Sequence, residues 1–142
     1  MPASPTPPEF FVDRGLGRVV VPEALRAAGV TVHTMAEIYR GREQEVPDTE
    51  WLTEAGRQRW IVLTKDRRIR RRPTEIRAIA EHGVRAFVLA RGSLTGVQQA
   101  EFFGNNLDRI VAAADVDEAV VYQVYATHIR RLWPTSERRA RR

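Results

Sequence analysis

No cysteine occurs in this chain, which removes disulfides, thiolate nucleophiles and cysteine-ligated zinc from consideration at once. Lysine is nearly absent too: Lys65 is the only one, and arginine carries the rest of the positive charge. The histidines His33, His82 and His128 show no metal-ligand spacing. No apolar run approaches the roughly 20 residues that a bilayer-crossing helix needs. A dinucleotide fingerprint is incomplete, because Gly15-Leu16-Gly17 is followed by Arg18-Val19-Val20 with no third glycine. A phosphoacceptor receiver domain wants an acidic pair after its first strand and a lysine after its last. Here Asp13 is followed by Arg14, and the lysine precedes Asp66. The first eight residues hold four prolines and neither a basic nor an apolar stretch, so they read as a flexible Pro-rich N-terminus over 1–9 and not as a secretory signal. The cytoplasm is the expected location, with no membrane involvement.

What is present suits one soluble globular domain. At 142 residues, with 43% hydrophobic and 29% charged side chains, the chain has room for a single core and no second full domain. The net charge of +5 is unevenly placed. Positive and negative side chains cancel up to Thr127, and Arg130, Arg131, Arg138, Arg139, Arg141 and Arg142 then face only Glu137. Residues 127–142 therefore read as a basic tail, available to a polyanion or an acidic partner. A solvated tail without a role, in a chain whose composition favours arginine, reads equally well.

Apolar periodicity predicts strands at 10–12, 30–34, 60–64, 86–90 and 119–126, the last at a sheet edge. Helices are expected at 22–28, from Asp48 onward, from Pro73 to just before Gly83, and as one long helix over 96–114. Residues 38–46 are polar and contain Gly41, so they read as a loop. Strands alternating with helices imply an α/β domain over 10–126, with a mostly parallel central sheet and helices on both faces.

Three short segments then stand out: Phe10-Phe11-Val12-Asp13, Pro47-Asp48-Thr49-Glu50 and Leu63-Thr64-Lys65-Asp66. Each delivers a carboxylate where a strand ends or a helix begins. In open α/β sheets ligands bind beyond the carboxyl ends of the strands, so acids at two such ends can meet in one cleft. Clustered carboxylates repel one another and persist where a cation or a proton offsets the repulsion. Mg²⁺ or Mn²⁺ answers that need with oxygen ligands and phosphate-directed chemistry, which makes phosphodiester hydrolysis the leading reaction class. Each acid also has a plainer role. Asp13 can shape a turn, Asp48 can cap a helix, and Asp66 can pair with Arg67 or Arg68. Glu50 is a further metal candidate, although the macrodipole of a helix favours an acid in its first turn anyway.

Lys65, Arg67, Arg68, Arg70, Arg71 and Arg72 surround Asp66 in the sequence, and arginine suits bidentate contacts to phosphate. They are the candidate contacts to a phosphate backbone, set against the reading of a solvated charged loop. Trp51, Trp60, Phe87, Phe102 and Phe103 fall in apolar patterns and read as core.

The segments FFVDRGLG, VPDTEWLTEAGRQRWIVLTKDRRIRRRP and VRAFVLARGSLTG together resemble the PIN-like domain of VapC-type toxins, in its VapC45-like branch. The resemblance covers about 10–111. It implies a PIN-like α/β/α fold and a Mg²⁺- or Mn²⁺-dependent ribonuclease that is the toxin of a toxin–antitoxin pair. By motif match it makes Asp13, Asp48 and Asp66 the metal-binding, catalytic acids. It also implies an RNA substrate and a cognate antitoxin covering the cleft, and a homodimer in which the long helix and an exposed Phe102 take part. The wider pattern commonly has a fourth acid, but Arg91-Gly92-Ser93-Leu94-Thr95 contains none. Glu50 or Asp108 fills that place, or no residue does. The rival reading is a non-catalytic RNA-binding or protein-interaction module on the same scaffold.

Overall fold

A computed structural model describes residues 7–135. The Pro-rich start and the tail arginines Arg138, Arg139, Arg141 and Arg142 lie largely or wholly outside the described residues. Six strands form one sheet in the order β2-β1-β3-β4-β5-β6. They are β1 Glu9–Val12, β2 Thr31–Thr34, β3 Ile61–Thr64, β4 Arg85–Leu89, β5 Val120–Val124 and β6 Ile129–Trp133. The first five pair in parallel, and β6 returns antiparallel to β5.

Six helices cover the sheet: α1 Val20–Ala27, α2 Met35–Ile38, α3 Asp48–Gln58, α4 Pro73–His82, α5 Gly96–Asn105 and α6 Leu107–Ala113. Successive strand residues point to opposite faces, so the adjacent Phe10 and Phe11 feed two separate cores. Phe11 joins Trp51, Leu52, Trp60, Val62 and Ile79 beneath α3 and α4. Phe10 joins Val21, Leu25, Leu63, Phe87, Phe103 and Ile110 beneath α1, α5 and α6. β3 and β4 are buried along their whole length, as strands covered on both faces must be.

The topology sets where a ligand can bind. The chain steps from β1 outward to β2, then crosses back to β3 on the other side of β1. The order thus reverses between β1 and β3, and the crevice at such a reversal lies beyond their carboxyl ends. Asp13 follows β1 directly, and Asp66 lies two residues beyond β3.

Three local expectations differ from the structure. The helix expected over 96–114 is two helices, because the buried Asn106 leaves helical geometry and its amide donates to the carbonyls of Phe102 (2.8 Å) and Tyr125 (2.7 Å). β5 is not an edge: Ile129–Trp133, read as part of the basic tail, forms β6 and carries Arg130 and Arg131. The loop expected over 38–46 holds apart from its first residue, since Ile38 ends α2, a short helix opened by a capping box between Thr34 and Glu37. Phe102, read both as core and as an exposed dimer contact, is half-buried against the second core.

Candidate active site

Asp13, Asp48 and Asp66 meet in one cleft of about 730 Å³ beyond the carboxyl ends of β1 and β3. Asp13 is 7% exposed, held by its backbone N–H on the Leu63 carbonyl (3.0 Å). Its Oδ2 accepts a hydrogen bond from the Thr64 hydroxyl at 2.8 Å. Burial pushes the Asp13 carboxyl above its usual range and the nearby charge of Asp48 adds to that, while the Thr64 hydroxyl and Arg14 oppose it. The ionised form of Asp13 is therefore held at a cost, chiefly because the carboxylate is buried.

Thr64 does more than hold Asp13. Its oxygen also accepts from the Asp66 backbone N–H at 3.0 Å, so one hydroxyl ties the end of β1 to the turn after β3. The sequence reading treats Thr64 only as the last residue of an apolar strand. A lone hydroxyl ending that run, two positions before an aspartate, was the available signal. Thr64→Val removes both bonds inside a buried site and is expected to cost about 1–3 kcal/mol of stability. Thr64→Ser restores most of it. Urea unfolding of the two variants checks this, and equal midpoints would remove the bridging role.

Asp48 opens α3, where the dipole favours an acid. Its Oδ1 accepts from the Trp51 indole N–H at 2.9 Å, which orients the carboxylate from within its own helix. Arg14 fixes the approach to that helix. Its guanidinium donates to the carbonyls of Glu43 (2.9 Å) and Val46 and lies 3.7 Å from Asp48. Arg14 thus anchors the segment before α3 to the end of β1. Sequence reasoning notes it only as the neighbour of Asp13.

Asp66 is differently placed. It accepts from the Arg68 backbone N–H at 3.1 Å, and from Arg72 at 2.5 Å and 3.4 Å. The same guanidinium reaches to 4.0 Å from Asp48. Arg72, expected among the RNA contacts, is turned to the acids, and its bond to Asp66 holds its charge more firmly than usual. Glu50 and Asp108 are exposed and line no part of the cleft. Glu50 pairs instead with Arg42 at 3.7 Å.

Lys65, Arg67, Arg68, Arg70 and Arg71 do line the cleft, as does Arg14. Six cations against three acids make it a net positive groove around a negative centre. Two glycines give the cations room: a Cβ at Gly15 would stand 3.3 Å from the Lys65 side chain, and one at Gly92 would stand 3.3 Å from the Arg67 guanidinium. A second cavity, of about 690 Å³, lies at the amino ends of the strands beside Ile61 and Arg85, away from this cluster.

The donor set fits a hard divalent cation in part. Asp13 and Asp48 supply oxygens whose mutual repulsion a cation would relieve. Asp66 faces Arg72, and no group of three acids or histidines close enough to hold a metal lies among the described residues.

A parallel α/β sheet with acids gathered at its topological switch point defines the class, and the comparisons agree. The family described as "PIN like domain" matches residues 8–91, more than half of the chain. The chain belongs to this PIN-like domain family. It is 36% identical over 124 residues to the protein described as "Putative ribonuclease VapC45" of Mycobacterium tuberculosis (strain ATCC 25618 / H37Rv), covering 87% of this chain and 90% of that one. No solved structure matches. Among the described residues no helix is long and apolar enough to cross a membrane.

Proposed function

We propose that this protein is a Mg²⁺- or Mn²⁺-dependent endoribonuclease of the cytoplasm, the toxin of a pair whose antitoxin covers the cleft. The observation that carries the reading is the buried Asp13 beside Asp48, tied through Thr64 to Asp66 in a cleft lined by cations. A relative described as a ribonuclease, matched over most of both chains, supports it.

In this reading Asp13 and Asp48 would hold the ion, and Asp66, now paired with Arg72, would be the third oxygen donor. The chemistry such an ion supplies is stabilisation of charge developing on phosphate oxygens and a more acidic bound water. Thr64 keeps Asp13 and Asp66 in register, and the Trp51 indole keeps Asp48 turned inward. Lys65, Arg67, Arg68, Arg70 and Arg71 receive the RNA backbone and align its scissile phosphate over the acids.

One observation favours a second reading, an RNA-binding module without chemistry: Arg72 already neutralises Asp66. Pooled cellular RNA incubated with the purified protein decides between them. Cleavage is expected with Mg²⁺ or Mn²⁺ and absent in EDTA. RNA binding that ignores EDTA, falls steeply with salt and never leads to cutting would establish the module instead.

A further inference from the structure

The basic side chains of the cleft explain attraction to any RNA, since phosphate contacts position a nucleic acid without reading it. One wall of the same cleft is of another kind. Strand register places Thr64 beside Val88, Val88 beside Gln123 and Gln123 beside Arg130. Laterally paired residues share a sheet face, so this row runs from the carboxylates toward β6. At about 4.8 Å per strand, Gln123 stands roughly 14 Å from the β1 end, within reach of a nucleotide next to the bound phosphate.

Beside the row lies a β-bulge. Val121 pairs with Trp133 and Tyr122 with Arg131, which leaves Leu132 as the extra residue of β6. Bulges re-aim side chains, and Leu132 lines the cleft with Val88 and Gln123. Two apolar side chains thus flank a single amide.

That amide is oriented. The Tyr125 hydroxyl donates to Gln123 Oε1 at 2.8 Å, which occupies the carbonyl end and leaves the NH₂ end as the group to offer. Arg70 lines the same cleft, and its guanidinium carries donors alone, of which the buried Nε–H has no partner among the described residues. Both groups are donors. A base that meets them must present acceptors. Guanine does so with O6 and N7, whereas adenine sets its own N6–H₂ donor against them.

We propose that Val88, Gln123, Leu132 and Arg70 form a guanine-selective base subsite beside the carboxylates, with Tyr125 as the residue that positions the Gln123 amide. The cleft then chooses RNA by sequence as well as by charge. This rests on the ribonuclease reading for its ligand, but its test needs no chemistry.

The experiment is binding in EDTA of an oligoadenylate hexamer and of the same hexamer with one central guanosine. Wild type is expected to hold the guanosine-containing strand about tenfold more tightly. Gln123→Leu brings the ratio close to one. Gln123→Glu, which replaces donor by acceptor, turns the preference toward adenine. Tyr125→Phe lowers discrimination with little change in total affinity. Equal binding of the two strands, no binding at all, or a guanosine preference that survives Gln123→Leu overturns the subsite. Cutting of pooled RNA with Mg²⁺ is scored separately. Selective binding without cutting would sink only the nuclease, and cutting with equal binding of the two hexamers would sink only the subsite.

Discussion

Asp13→Asn is expected to abolish the proposed RNA cleavage, by about 100–1,000-fold or more, without lowering stability. The two halves of this expectation come from one geometry. Asparagine keeps an oxygen for the Thr64 hydroxyl at the same place, so the link from β1 to β3 survives. What it removes is a buried negative charge facing a second carboxylate, which the native fold tolerates at a cost. The pH dependence has a definite sign. The folded protein holds the Asp13 proton more tightly than the unfolded chain does. Between the unfolded value of 3.8 and the raised folded value, the native state therefore binds more protons, and stability falls as pH rises through that window. Above it the penalty is complete. Urea unfolding of wild type and variant in EDTA, at a series of pH values from about 4 upward, reads this directly. Wild type should lose stability relative to Asp13→Asn as pH increases. A flat difference would show that Asp13 is not strained, and retained cutting would remove it from the site.

Gly56→Ala is the second change with a large expected effect, on the fold. Gly56 lies on α3 where that helix meets the end of α4, and a Cβ there would sit 2.5 Å from the His82 carbonyl oxygen and 2.6 Å from its Cβ. The obstacle is backbone, so no side chain can swing aside. The helices must separate, at about 1–3 kcal/mol or more, which corresponds to roughly 3–10 °C in thermal midpoint for a chain of this size. Gly56 stands eight residues beyond Asp48, roughly 12 Å along the helix. The wedge thus opens the end of the α3–α4 pair away from the cleft. Cleavage measured well below the midpoint should stay within a few-fold of wild type. An unchanged midpoint would mean that the close approach of α3 and α4 is unnecessary.

Much of the fold was legible because its signals are local. Phe10-Phe11-Val12 and Ile61-Val62-Leu63 announce buried strands by composition, and Gly83 marks the end of α4 with positive φ. The acids were legible for the same reason: each interrupts an apolar or helical pattern at its end. Whatever depends on distant partners was hidden. The break at Asn106 answers to the carbonyl of Tyr125, nineteen positions away. β6 exists because β5 offers an edge to pair with, and a segment containing Arg130 and Arg131 does not look like a strand in isolation. The polarity of Arg72 could not be read from a run of arginines either. Five side chains of one type, all within six positions, carry no mark of which one turns back.

That turn has a consequence for how the acidic centre is held in the folded chain. Arg72 lies against Asp66 and within 4.0 Å of Asp48, so two of the three acids already face a tethered counter-charge. The chain need not wait for an ion in order to fold. The repulsion between Asp48 and Asp66 is offset within the chain itself, by an arginine that the fold carries with it.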